Sequence, residues 1–116
     1  MKSLEDMLPE IRLKVSQADL WGQLAEECAE LAQAALKMER LMRGSNPPGM
    51  DGADCRRLVL EEAADVYLML DVLNYADTKL LRNSMTYKAM RWLKRIASRP
   101  SHCTCETMQR MEDDKK

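Results

Sequence analysis

Two short acidic clusters carry the residues with chemistry to do. Glu26-Glu27-Cys28-Ala29-Glu30 and Glu61-Glu62-Ala63-Ala64-Asp65 each lie inside a segment that otherwise reads as an apolar helix. A helix turns about 100° per residue, so every position has a direction. In the first segment Leu20, Leu24, Cys28, Leu31, Ala35, Met38 and Met42 recur by threes and fours and form one apolar stripe. Glu27 falls on that stripe and Glu30 at its edge, while Glu26 points further out. In the second segment Leu58, Val66, Met69, Val72, Leu73 and Ala76 make the stripe. Glu62 and Asp65 fall near its middle, and Glu61 at its edge.

An inward carboxylate without a partner costs several kcal/mol. Four of them need buried cations, protons or metal ions. Neither stripe carries Lys or Arg at matching positions. Close carboxylates also repel, which drives some of them to take up protons. Hard divalent cations resolve the conflict most simply. Magnesium prefers oxygen ligands and shares its shell with waters and substrate phosphates. Glu27, Glu30, Glu62 and Asp65 are the candidate ligands. The competing explanation is an ordinary solvated face, which applies most to Glu26 and Glu61.

The elements that must position these groups are helices. A chain of 116 residues is expected to form one domain over residues 1–99. Hydrophobic residues make up 46% and charged residues 32%, which fits a globular helical protein. There is no Phe and no run of alternating β-branched residues, which argues against a sheet. The expectation is an all-α bundle of about four helices. A formal charge of −1 gives no global basic field, so nucleic acid is not an expected partner. No apolar run is long enough to span a membrane, and no signal-peptide pattern opens the chain. The four cysteines lack a disulfide-rich spacing, and reduced thiols in a cytoplasm are expected.

Leu4, Leu8, Ile11 and Val15 have helical spacing, with Pro9 predicting a kink or a helix start. Ser16 and Asp19 are candidate caps for a helix running from about Asp19 to Arg43. Gly44-Ser45-Asn46-Pro47-Pro48-Gly49 is the clearest loop. Asp51 or Asp54 then caps a helix to about Ala76. Leu60, Tyr67 and Leu70 make that helix apolar on its back as well, which predicts a homo-oligomer with this helix near the interface. A turn is expected near Asn83-Ser84, and a last helix from about Met85 to Ser98. Met85, Ala89, Met90, Leu93, Ile96 and Ala97 form its apolar face. Lys88, Arg91, Lys94 and Arg95 form its basic one, either plainly solvated or facing phosphates at another subunit's acidic site. Pro100 stops it. Residues 100–116 are a polar tail, expected to be disordered. The tail's His102-Cys103-Thr104-Cys105 lacks the second ligand pair of a soft-metal site.

Leu24-Ala25-Glu26-Glu27-Cys28-Ala29-Glu30-Leu31, followed after a loop by Glu61-Glu62-Ala63-Ala64-Asp65-Val66, resembles the paired E-x-x-E and E-x-x-D signature of the MazG-like all-α nucleotide pyrophosphatases. The resemblance covers most of residues 15–98. It implies a helical bundle that works as a dimer or tetramer. It implies magnesium, with manganese as a substitute, held by Glu27, Glu30, Glu62 and Asp65. It also implies hydrolysis of a nucleoside triphosphate to a monophosphate and pyrophosphate. Glu26 or Glu61 would orient water, and Trp21 and Gln23 would lie near the base or sugar. Lys79, Lys88, Arg91 and Arg95 would meet phosphates. The chain departs from the family in a longer insert between the motifs. It also lacks a clear Lys-Asn…Arg phosphate box, offering Lys79, Arg82 and Asn83 instead. Two alternatives stay open: a related phosphoribosyl-nucleotide pyrophosphohydrolase, and a non-catalytic helical oligomerisation or regulatory module. A di-iron bundle is disfavoured, because the only His is His102.

Overall fold

The computed structural model describes residues 1–99; the expected tail and its His102–Cys105 run lie outside the described residues. These residues form four helices and no strand: α1 (Leu4–Lys14), α2 (Gln17–Arg43), α3 (Gly52–Val72) and α4 (Lys79–Ala97). The chain divides into two compact units, Met1–Thr78 and a second beginning at Lys79.

Local chemistry sets the helix starts. The Ser3 hydroxyl accepts from the Asp6 amide while the Asp6 carboxylate accepts from the Ser3 amide, a reciprocal capping box. This strong cap starts α1 at Leu4, so Pro9 lies inside the helix and does not open it. Ser16 caps α2 by accepting from the Asp19 amide, and Asp19 itself falls in the first turn. Asp51 caps α3 by accepting from the Asp54 amide at 2.8 Å. Gly44 ends α2 at φ +70°, a left-handed residue that costs glycine little.

Helices α2 and α3 pack along each other as a hairpin, and α1 packs on α3. Leu20, near the start of α2, joins Val72 and Leu73 at the end of α3, so the pair runs antiparallel. Besides Lys37 and Arg40, the shielded positions of α2 are Leu20, Leu24, Glu27, Leu31, Ala34, Met38 and Leu41. Their spacing alternates four and three, an average of 3.5, which is how helices that wind around each other keep one seam in contact. Cys28, Ala35 and Met42, expected on the stripe, are exposed. Along α3 the same alternation runs through Cys55, Val59, Glu62, Val66, Met69 and Leu73, all shielded.

The main core closes one end of the hairpin. Leu8, Leu20, Val72 and Leu73 are buried together, with Ile11, Leu24, Leu68 and Met69 packed against them. Ala34 and Cys55, both nearly inaccessible, lie toward the loop end of their helices. Arg12 ties α1 to this core. Its guanidinium donates from Nε to the Val72 carbonyl at 2.7 Å and from Nη2 to the Asp71 carbonyl at 3.0 Å. Those carbonyls end α3, where a cation is favoured. Arg12→Met keeps the aliphatic stem, removes the Val72 carbonyl's side-chain partner and leaves the Asp71 carbonyl its bond from the Asn74 amide. It is expected to cost about 1.5–3 kcal/mol, read from urea unfolding curves; an unchanged midpoint would show that water replaces the guanidinium freely.

Helix α3 ends at Val72, earlier than expected. Asn74 at φ +68° and Asp77 at φ +55° form the turn, in the left-handed region that Asn and Asp tolerate best among residues with a side chain. Asn83 and Ser84, expected to turn, lie inside α4, which begins at Lys79.

In the second unit α4 carries no buried residue. No helix among the described residues is long and apolar enough to cross a membrane.

Candidate metal centre

The seam geometry brings four carboxylates together. Glu27 and Glu62 occupy facing seam positions in the middle of the hairpin, and Glu30 and Asp65 each follow three residues later on the same side. One oxygen from each of Glu27, Glu30, Glu62 and Asp65 lies within 4.8 Å of the other three. Glu27 and Glu62 are half-buried, while Glu30 and Asp65 are exposed. The cluster therefore has a dry floor and a wet rim.

The floor is unsatisfied. Oε2 of Glu27 and Oε2 of Glu62 are buried and accept no hydrogen bond. Gln23, one turn earlier on α2, donates its amide to Oε1 of Glu27 at 2.6 Å. No cation among the described residues compensates the charge. Arg40, whose buried Nε also lacks a partner, lies thirteen residues beyond Glu27, about 20 Å along the helix.

Protonation of Glu27 is displaced accordingly. The Gln23 hydrogen bond, the largest single influence, favours the carboxylate. Burial, the charges of Glu30 and Asp65 and a hydrogen bond with Glu30 together outweigh it, and the pKa rises above the ordinary 4.5. A group that binds its proton more tightly when folded stabilises the fold below its unfolded pKa. It loses that contribution as pH climbs through the raised folded value. Glu27 thus contributes a loss of stability to the metal-free protein as pH rises through its raised pKa. Glu10, its pKa held low by Lys2 and Lys14, contributes the opposite sign. Glu27→Gln is expected to lose the Glu27 part of the slope. Melting curves in EDTA at several pH values check this; equal slopes in the two proteins would count against it.

The other candidates are dispersed. Glu26 and Glu61 are exposed and stand outside the four-oxygen cluster. Gln23 joins it through Glu27. Trp21 instead packs edge-on against Tyr75, with ring centroids 5.6 Å apart and a 60° angle between planes. Nine residues separate Trp21 from Glu30, which puts them on opposite sides of α2. Lys79, Lys88, Arg91 and Arg95 belong to the second unit. There Lys88, Arg91 and Arg95 line a shallow depression of about 270 Å³ with Trp92, and Arg91 stacks over the Tyr87 ring at 5.8 Å. Trp92 escaped the sequence analysis, although its place among cations one turn away on either side was a signal. Cys28 and Cys55 are unpaired.

Compared with known proteins, the chain matches no family model, no curated protein and no solved structure. The carboxylate cluster carries the functional argument alone. Its donors are all oxygen, two of them buried and unpartnered, and they sit close enough to share one ion. That set fits a hard divalent cation such as magnesium or manganese.

Proposed function

We propose that the protein is a magnesium-dependent nucleoside triphosphate pyrophosphohydrolase, cleaving a ribo- or deoxyribonucleoside triphosphate to its monophosphate and pyrophosphate. The observation that carries this is the four-carboxylate cluster with its two orphaned buried oxygens. The paired acidic motifs, similar to those of MazG-like pyrophosphatases, support the same reaction.

Glu27, Glu30, Glu62 and Asp65 would hold the metal, and Gln23 fixes the rotamer of Glu27 by its hydrogen bond. When bound, magnesium neutralises the triphosphate's charge and that of the leaving pyrophosphate. The chain's residues do the rest. Glu30 and Asp65 hold the exposed rim, where an anionic substrate arrives. Glu26 or Glu61 accepts the proton of the attacking water as its oxygen bonds to the α-phosphorus and the bond to the bridging oxygen breaks. Lys79, Lys88, Arg91 and Arg95 are the cations available for phosphates. The assembly is a homo-oligomer, because Leu60 and Tyr67 remain open on the outer face of α3.

The test is pyrophosphate release from a panel of nucleoside triphosphates, with magnesium and with EDTA. Magnesium-dependent pyrophosphate, and no orthophosphate, is expected. Failure on the whole panel, or release unaffected by EDTA, would overturn the proposal.

A further inference from the structure

Helix α4 has an apolar side and a basic one. Leu81, Met85, Ala89, Trp92, Leu93 and Ile96 share one side of its wheel; Lys88 and Arg95 border that side next to Trp92, and Arg91 and Lys94 turn away from it. Every residue of α4 except Leu81 is exposed, Trp92 by 65% and Leu93 by 66%. A continuous exposed apolar face of this kind marks an interaction site.

Charge identifies the occupant. Residues 79–99 carry seven basic side chains and no acidic one, a formal charge of +7. Residues 1–78 carry fifteen acidic and eight basic side chains, a formal charge of −7. The same acidic unit leaves Leu60 exposed by 71% and Tyr67 by 62%. We infer that α4 of one copy docks on the α2–α3 hairpin of a second copy, its apolar face on the side of Leu60 and Tyr67 and the bordering Lys88 and Arg95 among the hairpin's carboxylates. The match is reciprocal, since each copy carries both surfaces. An anionic lipid surface would attract α4 but repel the acidic unit, and it would leave Leu60 and Tyr67 bare. The inference deepens the homo-oligomer proposed above and does not depend on the hydrolase reaction.

The test mixes full-length protein at natural isotope abundance with nitrogen-15-labelled protein. A carbodiimide then joins lysine amines to carboxylates that lie in contact. Sedimentation at micromolar concentration is expected to give a dimer. Mass spectrometry is expected to find mixed-isotope peptides linking Lys88 to hairpin carboxylates. Leu93→Glu, with helicity checked by circular dichroism, is expected to halve the sedimenting mass. A wild-type monomer overturns the inference, including one that floats with phosphatidylserine vesicles. So does a dimer whose α4 links are never mixed in isotope, or a folded Leu93→Glu protein of undiminished mass. A chain that dimerises this way and releases no pyrophosphate keeps the inference and removes the hydrolase.

Discussion

Glu62→Gln is expected to lower magnesium-dependent pyrophosphate release by about 100-fold or more, while metal-free protein becomes more stable. The two effects have one cause. Oε2 of Glu62 is buried without a hydrogen-bond partner, beside the carboxylates of Glu27, Glu30 and Asp65. In the absence of a cation that oxygen brings charge into a seam position and contributes repulsion. An amide of the same shape removes the charge and would offer the proposed metal a neutral oxygen in place of an anionic one. A gain of about 1 kcal/mol would raise the melting temperature by several degrees in a unit this small. Magnesium should raise the melting temperature of the wild type and leave the variant nearly unmoved. Wild-type turnover in the variant would sink the assignment, as would a lower melting temperature in EDTA, which would show that Glu62 is held by something other than a metal.

Leu20→Ala carries the largest expected loss of stability. Leu20 is 4% exposed and is the one buried side chain that α2 contributes to the core of Leu8, Val72 and Leu73. Truncating a buried leucine costs about 2–5 kcal/mol, against about 5–15 kcal/mol for a whole domain. The core has few other members to take up the loss. Leu36→Ala is the control, since Leu36 is 53% exposed and such positions usually shift stability by less than about 0.5 kcal/mol. Urea midpoints measure both. Equal effects would mean that the unit is held by something other than this cluster, such as the second copy inferred above.

Much of the hairpin was legible because its signals are local. Ser16 and Asp51 cap the helices that the sequence assigns to them, and Gly44 ends the first where a left-handed residue is needed. The inward direction of Glu27 and Glu62 was legible too, because both lie within a turn of several leucines, methionines or valines. The error lay in the period. A wheel of 3.6 residues drifts by about 20° per heptad from a seam that repeats at 3.5. The wheel therefore put Cys28, Ala35 and Met42 inward beside Glu27, where the hairpin exposes all three and shields Ala34 and Leu41. Nothing in one segment states that its partner will wind with it. The turn after α3 was misplaced for another reason. Asn83 and Ser84 are weak helix formers, but Lys79–Ala97 accommodates both. Asn74 and Asp77 take the positive φ angles instead. The side-chain types alone do not decide between the two pairs. Trp21 was legible as a large aromatic and not as a partner of Tyr75, which lies fifty-four residues away and across the turn.

The alternating seam has a consequence for inheritance. Glu27 and Glu62 stand where a zipper of two helices would carry valine or leucine, and a single base change turns a glutamate codon into a valine codon. Each such mutation would continue the apolar seam and be rewarded at once in folding. Only selection for the carboxylates opposes that drift. In a host that drew no benefit from the carboxylates, this chain would slide toward an apolar helical hairpin without passing through an unfolded ancestor.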